Sequence, residues 1–169
     1  MSWKLIHQNG EIYQAELSEL SKSDLLQLKK SEGWSRGFNW ATYLDQKSEF
    51  TAYKLHITGN PIIQGLLAIA VREGFVELDL IEKAPSNRKP RNEFINIGEI
   101  LFAFACLTSF KNGGNGYVLL QAKTGLVEHY IDHYGMEVVN SKKRLLAIPT
   151  LEAKRLVDLY LIKGVDDHA

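Results

Sequence analysis

The feature that most constrains this chain is a long apolar run that follows two turn-forming residues. Residues 100–107 are apolar without a polar break, and Asn96 and Gly98 stand just ahead of them. A helix that is apolar on all sides has no face suited to water, so we predict a buried central helix within residues 92–110. Asn and Gly both accept sharply turned backbone, which predicts a tight turn where this helix begins.

The start of this predicted helix is a candidate anion site. The first N–H groups of a helix have no partner within it, and the helix dipole is positive at that end. A glycine there lets a phosphate group come close to the backbone. The alternative is a core helix with a tight turn before it and no ligand, because short glycine patterns are common.

Composition sets limits on the protein class. The chain has 169 residues, of which 45% are hydrophobic and 24% charged, as in an ordinary globular protein, so we expect one domain over residues 1–169. Basic and acidic residues number 20 each, which gives no electrostatic reason to expect nucleic acid or an anionic membrane as the main partner. With no signal peptide or membrane-spanning run in the sequence, we expect a cytoplasmic protein.

Periodicity predicts an α/β order. The predicted strands cover residues 3–7, 11–17, 52–58, 62–72, 75–83, 117–122, 136–139 and 144–148. The predicted helices cover residues 21–30, 39–46, 96–110 and 124–134, with a last one that begins at Pro149. Thr124 is the expected cap of the fourth helix, and an aromatic loop with Trp34 and Phe38 is expected to form a lid on the core or a wall of an acceptor pocket.

Carboxylates and cations cluster around the fifth predicted strand. Alternation along residues 75–83 puts Glu77 and Asp79 on one face and the apolar residues Val76, Leu78 and Leu80 on the other. Glu82 follows at the end of the strand. These carboxylates are candidate bases, although a solvated sheet face is an equally common arrangement. The next loop carries Arg88, Lys89 and Arg91, which either reach an anion or stay in solvent.

Taken together, this element order resembles that of the GNAT-type N-acetyltransferases. In that family the loop before the long helix reads Gln/Arg-x-x-Gly-x-Gly/Ala and holds the pyrophosphate of acetyl-CoA. This chain has Glu93, Asn96 and Gly98 at those positions, so only the last one matches. Asn96 is expected to keep the turn in a left-handed conformation. Residues 126–136 resemble the family segment whose tyrosine protonates the CoA thiolate, with Tyr130 as the best match and Tyr134 as the reserve.

The resemblance implies a mixed, mostly antiparallel sheet flanked by helices, with acyl-CoA in a split between the strands at residues 75–83 and 117–122. It implies an N-acetyltransferase that moves an acetyl group from acetyl-CoA to an unidentified amine by direct attack. The alternative is an inactive acyl-CoA-binding or protein-interaction module on the same fold. His129 and His133 share a helical face, but no third ligand is evident, so no metal is predicted. The oligomeric state stays open.

The site residues that follow from the resemblance fall into two groups. The proposed catalytic residues are Tyr130, Glu77, Asp79 and Glu82. The proposed cofactor-binding residues are Leu80, Ile81, Glu82, Asn87, Arg88, Arg91, Asn96, Ile97, Gly98, Glu99, Thr124 and Tyr130.

Overall fold

The structure, a computed structural model, describes residues 1–164 and is built on one nine-stranded sheet. The strands are β1 (Ser2–Ile6), β2 (Ile12–Glu19), β3 (Thr51–Ile57), β4 (Gly65–Arg72), β5 (Phe75–Lys83), β6 (Val118–Gln121), β7 (Glu137–Asn140), β8 (Leu145–Ile148) and β9 (Leu161–Ile162). The helices are α1 (Ile97–Lys111), α2 (Val127–Tyr134) and α3 (Thr150–Tyr160). The order of the strands in the sheet is β7-β8-β6-β5-β4-β3-β2-β1-β9.

Most of the sheet is an antiparallel run of consecutive strands, as the sequence predicts. Gly10, Gly59 and Gly74 adopt positive φ angles in the turns between strands, where a side chain would be strained. The exception is the pairing of β5 with β6, which is parallel because α1 crosses back between them. The mixed, mostly antiparallel sheet flanked by helices is therefore confirmed. The pairing of β9 with β1 was not predicted from the sequence.

Two apolar clusters cover the two faces of the sheet. The larger one lies between the sheet and α1, α2 and α3, and it contains Trp3, Ile100, Phe102 and Leu146 in fully buried positions. Helix α1 is buried over most of its length, which confirms the central helix expected from its unbroken apolar run. The smaller cluster lies on the other face, under the turns of residues 22–44, and includes Trp34 and Trp40.

The segments predicted as short helices at residues 21–30 and 39–46 are 3₁₀ turns. They cover Lys22–Gln27, Lys30–Glu32 and Trp40–Leu44. A capping box holds the start of the first of them, where the Asp24 carboxylate accepts from the Ser21 N–H at 2.8 Å, and Lys54 Nζ from β3 donates to the same carboxylate at 2.8 Å. Helix α2 begins at Val127 rather than at a Thr124 cap, because a turn with Gly125 at φ 88° separates them. No helix within residues 1–164 is long and apolar enough to cross a membrane.

Gly65 at the start of β4 brings the sheet close to α1. A Cβ there would lie 2.7 Å from Cγ2 of Ile97 and 3.3 Å from Cδ1 of Leu101, both of which are buried. We expect Gly65→Ala to lower the free energy of unfolding by about 1–3 kcal/mol through overpacking. Gly37→Ala is the matched control, since nothing lies within 4 Å of its added Cβ. Urea titration of both variants is the measurement, and equal effects of the two would contradict this packing.

Candidate functional site

The sheet opens between β5 and β6, the two parallel strands at its centre. They pair only at Val76 with Val118, Glu77 with Leu119 and Leu78 with Leu120. Strand β5 continues to Lys83, whereas β6 ends at Gln121, so the far half of β5 has no partner on this side. The predicted split between these strands is therefore present. It leaves one edge of β5 free to hydrogen-bond an extended ligand.

A β-bulge lies where the strands part. Leu80 pairs with Ala68 and Leu78 with Ile69, so Asp79 is an extra residue in β5. The extra residue reverses the alternation of side chains beyond it. Leu80 consequently packs in the smaller cluster rather than with Val76 and Leu78, which corrects the face predicted from strict alternation. Ile81 instead packs against the larger cluster, on the side of the helices.

Because of the bulge, all three predicted carboxylates of β5 lie on the face covered by residues 22–44. Glu77 accepts a hydrogen bond from Nε of Arg72 at 3.0 Å. Asp79 accepts one from the hydroxyl of Tyr43 at 2.5 Å. Burial, followed by the hydrogen bond to Asp79, raises the pKa of Tyr43, so the phenol keeps its proton.

Glu82 is a buried carboxylate with three donors. It accepts bonds from the Ser35 N–H and from Nε1 of Trp40, each at 2.8 Å, and from Arg88 at 2.5 Å. Arg88 also donates to the carbonyl oxygens of Lys83 and Gly33. This network ties the aromatic loop to the end of β5. Its geometry assigns Glu82 and Arg88 to holding the loop, which leaves neither side chain free for a base or a phosphate contact.

The polar residues before α1 hold the helix start in place. The buried Asn96 side chain accepts a bond from the Ile6 N–H at 2.9 Å and donates to the Lys4 carbonyl at 2.8 Å. Its φ is −125°, so the expected left-handed conformation at Asn96 is wrong; Asn92 has the positive φ, at 40°. Asn87 is likewise buried, donating to Gln64 and accepting from the Phe94 N–H at 3.0 Å.

The first turn of α1 still presents N–H groups that have no partner in the described part of the chain. Ile97, Gly98 and Glu99 begin the helix, and their N–H groups precede its first internal bond, from Ile100 to Asn96. Ile97 is buried in the core and contributes packing through its side chain. A cavity of about 450 Å³ lies beside this turn. Its polar lining comes from Lys83, Asn87, Lys89, Asn92, Asn96, Glu99, His129 and His133.

Of the three cations named from the sequence, only Lys89 lines this cavity. Arg88 is held in the Glu82 network, and Arg91 is exposed, 3.8 Å from the carboxylate of Glu93. Lys89, one of the three alternatives, lines the cavity together with Lys83. Lys83 was missed because only the bulge brings the end of β5 to the helix face. A search for charged residues at both ends of this strand could have found it.

Gly98 faces a tyrosine rather than open space. A Cβ at Gly98 would lie 2.8 Å from the hydroxyl oxygen of Tyr134, which is buried and donates to Oε1 of Glu99 at 2.8 Å. The same Glu99 oxygen lies 3.1 Å from Nε2 of His133. Burial, and then the Glu99 charge, raises the pKa of Tyr134. The glycine is therefore required by the Tyr134 contact, whatever ligand binds nearby.

Tyr130 lines a separate, smaller cavity of about 200 Å³ on the helix side of the split. Its ring packs edge-on against Phe102, with the ring centroids 5.6 Å apart. Its hydroxyl has no hydrogen-bond partner among residues 1–164, in contrast with that of Tyr134. Burial raises the pKa of Tyr130. The cavity also contacts Ile81, Lys83, Gly98 and His129, so it adjoins the helix-start cavity.

Several other sequence-predicted residues lie away from these cavities. Thr124 is exposed in the turn before α2. Trp34 and Trp40 are buried in the smaller cluster, so of the aromatic loop only Phe38 stays near the split, beneath Lys123. The rings of His129 and His133 stack 5.3 Å apart. Within the described part of the chain, no three His, Cys, Asp or Glu side chains are placed to hold a metal ion.

Comparison with solved structures identifies proteins of the same fold. The ribosomal-protein-S18-alanine N-acetyltransferase from Escherichia coli matches with a TM-score of 0.52 and 16% identity, over 79% of this chain and 90% of that chain. The toxin AtaT, as a tyrosine-to-phenylalanine mutant bound to acetyl-CoA and the C-terminus of the antitoxin AtaR, matches with a TM-score of 0.55 and 14% identity, over 84% and 97%.

A tyrosine-to-phenylalanine mutant of KacT matches with a TM-score of 0.54 and 16% identity, over 85% of this chain and 99% of that chain. No protein-family model and no curated protein matches the sequence. At these identities the likeness shows a shared fold. It confirms the fold that the resemblance to GNAT-type acetyltransferases implies.

The contact between Gly98 and Tyr134 is testable by a double-mutant cycle. Gly98→Ala alone is expected to destabilise, because its Cβ would collide with the Tyr134 hydroxyl. In the Tyr134→Phe background that oxygen is absent, and Ala is favoured over Gly in a helix by about 1 kcal/mol, so the same change is expected to stabilise. Denaturant unfolding of the four proteins measures the coupling, and additive effects would contradict the contact.

Proposed function

We propose that the chain is an acyl-CoA-dependent N-acyltransferase, most simply an N-acetyltransferase. The observation that carries the proposal is the parting of β5 and β6 at the Asp79 bulge, beyond which Ile81 and Lys83 border one cavity with Gly98 in the first turn of α1. A free strand edge, a set of unpaired helix N–H groups and a half-buried tyrosine meet there. These are the groups that an extended thioester with an anionic end requires.

The residues present fit acetyl-CoA in most respects. The N–H groups of Ile97, Gly98 and Glu99, with the ammonium groups of Lys83 and Lys89, would hold its pyrophosphate. The unpaired edge of β5 beyond Leu78 would bond its pantetheine amides as an added strand does. The negative charge of the Glu99 carboxylate would repel a phosphate at this place, although Tyr134 and His133 both contact that carboxylate.

The chemistry needs a base for the amine, donors for the oxyanion and an acid for the thiolate. The amine nitrogen forms a bond to the acetyl carbon, the carbon–sulfur bond breaks, and CoA leaves as the thiol. Asp79 and Glu77 border the split on the face opposite to Tyr130, so they would take the amine proton directly or through water. Backbone N–H groups at residues 80–82 would bond the oxyanion.

The second candidate is an acyl-CoA-binding module that transfers nothing. Two departures favour it: Glu93 stands where the family pattern has Gln or Arg, and Glu99 adds a negative charge to the first turn of α1. Calorimetry with acetyl-CoA and an assay of free thiol against an amine panel separate the two. Binding with turnover supports the transferase, binding without turnover supports the module, and no binding contradicts both.

The charge of Glu99 gives a prediction about cofactor affinity. Glu99→Gln removes a negative charge from the helix start while keeping a side chain that accepts from Tyr134. Acetyl-CoA is expected to bind about 2- to 5-fold more tightly, from the size of helix-terminus charge effects. Glu128→Gln, at the exposed first turn of α2, is the control for net charge. If calorimetry shows that the two variants bind acetyl-CoA with equal affinity, the phosphate groups do not bind at the start of α1.

The Tyr130 hydroxyl, which has no hydrogen-bond partner among residues 1–164, is the proposed acid for the CoA thiolate. Its pKa is raised by burial above the ordinary value near 10, so it keeps its proton at neutral pH. Tyr130→Phe keeps the ring against Phe102 and removes only the hydroxyl. We expect kcat to fall about 10²- to 10⁴-fold with little change in acetyl-CoA affinity or stability.

Tyr134→Phe is the matched control for this prediction. Its hydroxyl is already bonded to Glu99, so its loss is expected to affect stability more than kcat. If Tyr134→Phe loses turnover and Tyr130→Phe keeps it, the acid is Tyr134. If both variants turn over at the wild-type rate, the thiolate leaves without help from either phenol.

A further inference from the structure

The face of the split opposite to Tyr130 has a cavity with an unusual charge pattern. It has a volume of about 360 Å³ and is bordered by residues 77–79 of β5, residues 119–123 at the end of β6, and Arg144 with Leu145 from the hairpin of β7 and β8. Two carboxylates and two cations line it. Neither Lys123 nor Arg144 was singled out from the sequence.

The two carboxylates already have partners. Glu77 forms an ion pair with Arg72 at 3.0 Å, and Asp79 accepts a hydrogen bond from Tyr43 at 2.5 Å. Glu82, on the same face, is paired with Arg88. Of the carboxylates near this cavity, Glu77 and Glu82 are therefore neutralised by arginines outside it, and Asp79 is hydrogen-bonded to a tyrosine.

The two cations have no carboxylate within ion-pair distance in the described residues. Burial lowers the pKa of Lys123, and the charge of Glu82 partly offsets this. Among residues 1–164, neither Lys123 nor Arg144 forms an ion pair. Both are nevertheless held in place. The Lys123 ammonium lies 3.4 Å above the centroid of the Phe38 ring, a cation–π contact that fixes it at the mouth of the split. Arg144 donates from Nε to the Ala122 carbonyl at 2.9 Å, and its two terminal nitrogens make no bond within the described residues.

The backbone keeps Arg144 beside the end of β6. Its φ is 51°, in the left-handed region that costs energy for a residue other than glycine. Its carbonyl accepts from the Ala122 N–H at 2.8 Å, and its own N–H donates to Ser141 at 3.2 Å. The hairpin turn and the end of β6 are thus bonded to each other, which places the guanidinium and the Lys123 ammonium around one opening.

We infer that the acceptor is a small amine that carries its own anionic group, a carboxylate or a phosphate, bound by Lys123 and Arg144 while its amine faces Asp79. A guanidinium with free terminal nitrogens suits the paired oxygens of such a group. An ammonium on the other end of the acceptor suits the carboxylate side of the cavity. This inference rests on the proposed function, since it assigns the substrate class of the same split.

The step balances without any further reactant. The acceptor ammonium first loses a proton to Asp79 or to water, and the neutral nitrogen then bonds to the acetyl carbon of acetyl-CoA. The carbon–sulfur bond breaks, Tyr130 donates a proton to the sulfur so that CoA leaves as the thiol, and the second proton that the nitrogen loses as the amide forms passes through water to restore Tyr130. The anionic group of the acceptor takes no part in the bond changes and only positions the amine.

The test compares amines that differ only in the anionic group. The pairs are β-alanine with ethylamine, glycine with methylamine, and O-phosphoethanolamine with ethanolamine, each assayed with acetyl-CoA for thiol release. We expect the anionic member of at least one pair to be the better substrate, and the preferred pair tells carboxylate from phosphate. Lys123→Met and Arg144→Met are expected to lower kcat/KM for that acceptor by about 10- to 100-fold, as for the loss of a charge-assisted hydrogen bond.

Control variants distinguish the loss of a positive charge at the cavity from structural damage caused by a substitution. Lys143→Met removes the same charge from the exposed tip of the same hairpin and is expected to leave kcat/KM unchanged. The KM for acetyl-CoA and turnover of the pair member that lacks the anionic group are expected to stay within a factor of about two in all three variants. Arg144→Lys, which keeps the charge, is expected to restore part of the activity if the guanidinium binds an anion.

A second measurement does not depend on turnover. Calorimetric titration of the same pairs into the protein with saturating CoA is expected to show binding of the anionic member only, and its loss in Lys123→Met and Arg144→Met. If acetyl-CoA binds and no amine is acetylated, this selective binding still supports the anion site while the transferase fails. Equal binding or turnover of both members of every pair, or no effect of the two substitutions, overturns the inference while leaving the transferase intact.

Discussion

The site depends on one extra residue in β5. Asp79 has no counterpart in β4, and the bulge that it makes reverses which side chains face the helices. Without it, Glu82 would point toward α1 and Lys83 away from it. The same irregularity coincides with the last pair between β5 and β6 at Leu78 and Leu120, so the reversal of faces and the opening of the sheet occur together.

The split therefore has two chemically different faces. On the helix side, Lys83 and the first turn of α1 surround one cavity, and the Tyr130 hydroxyl borders the next. On the other side, carboxylates of β5 face Lys123 and Arg144. Since the two faces meet only through the gap between the strands, a donor thioester on one face and an acceptor on the other would meet at the Asp79 bulge. The buried Glu82 network keeps the aromatic loop fixed beside that gap.

The two tyrosines of α2 lie one helical turn apart and have different roles: one packs between helices, and the other presents its hydroxyl to a cavity. Tyr134 is buried, bonded to Glu99 and in contact with Gly98, which makes it part of the junction between α1 and α2. Tyr130 is a turn earlier and borders a cavity with its hydroxyl unbonded among the described residues. Both pKa values are raised by burial, but within residues 1–164 the Tyr134 hydroxyl donates its proton to Glu99 and the Tyr130 hydroxyl donates to no group.

The sequence by itself determined the order of β1 to β8 and of α1 to α3, and the burial of α1. These depend on period-2 and unbroken apolar patterns, which are local properties that survive in any arrangement of the chain. It also indicated the carboxylates of β5 as candidates, whereas Tyr130 and the mixed sheet with its split followed from the resemblance to the GNAT-type acetyltransferases. The tertiary structure alone decided that Arg88 pairs with Glu82, that Gly98 accommodates Tyr134, and that Lys83, Lys123 and Arg144 border the split. Those outcomes depend on a one-residue bulge and on contacts between segments far apart in sequence, and no local pattern encodes either.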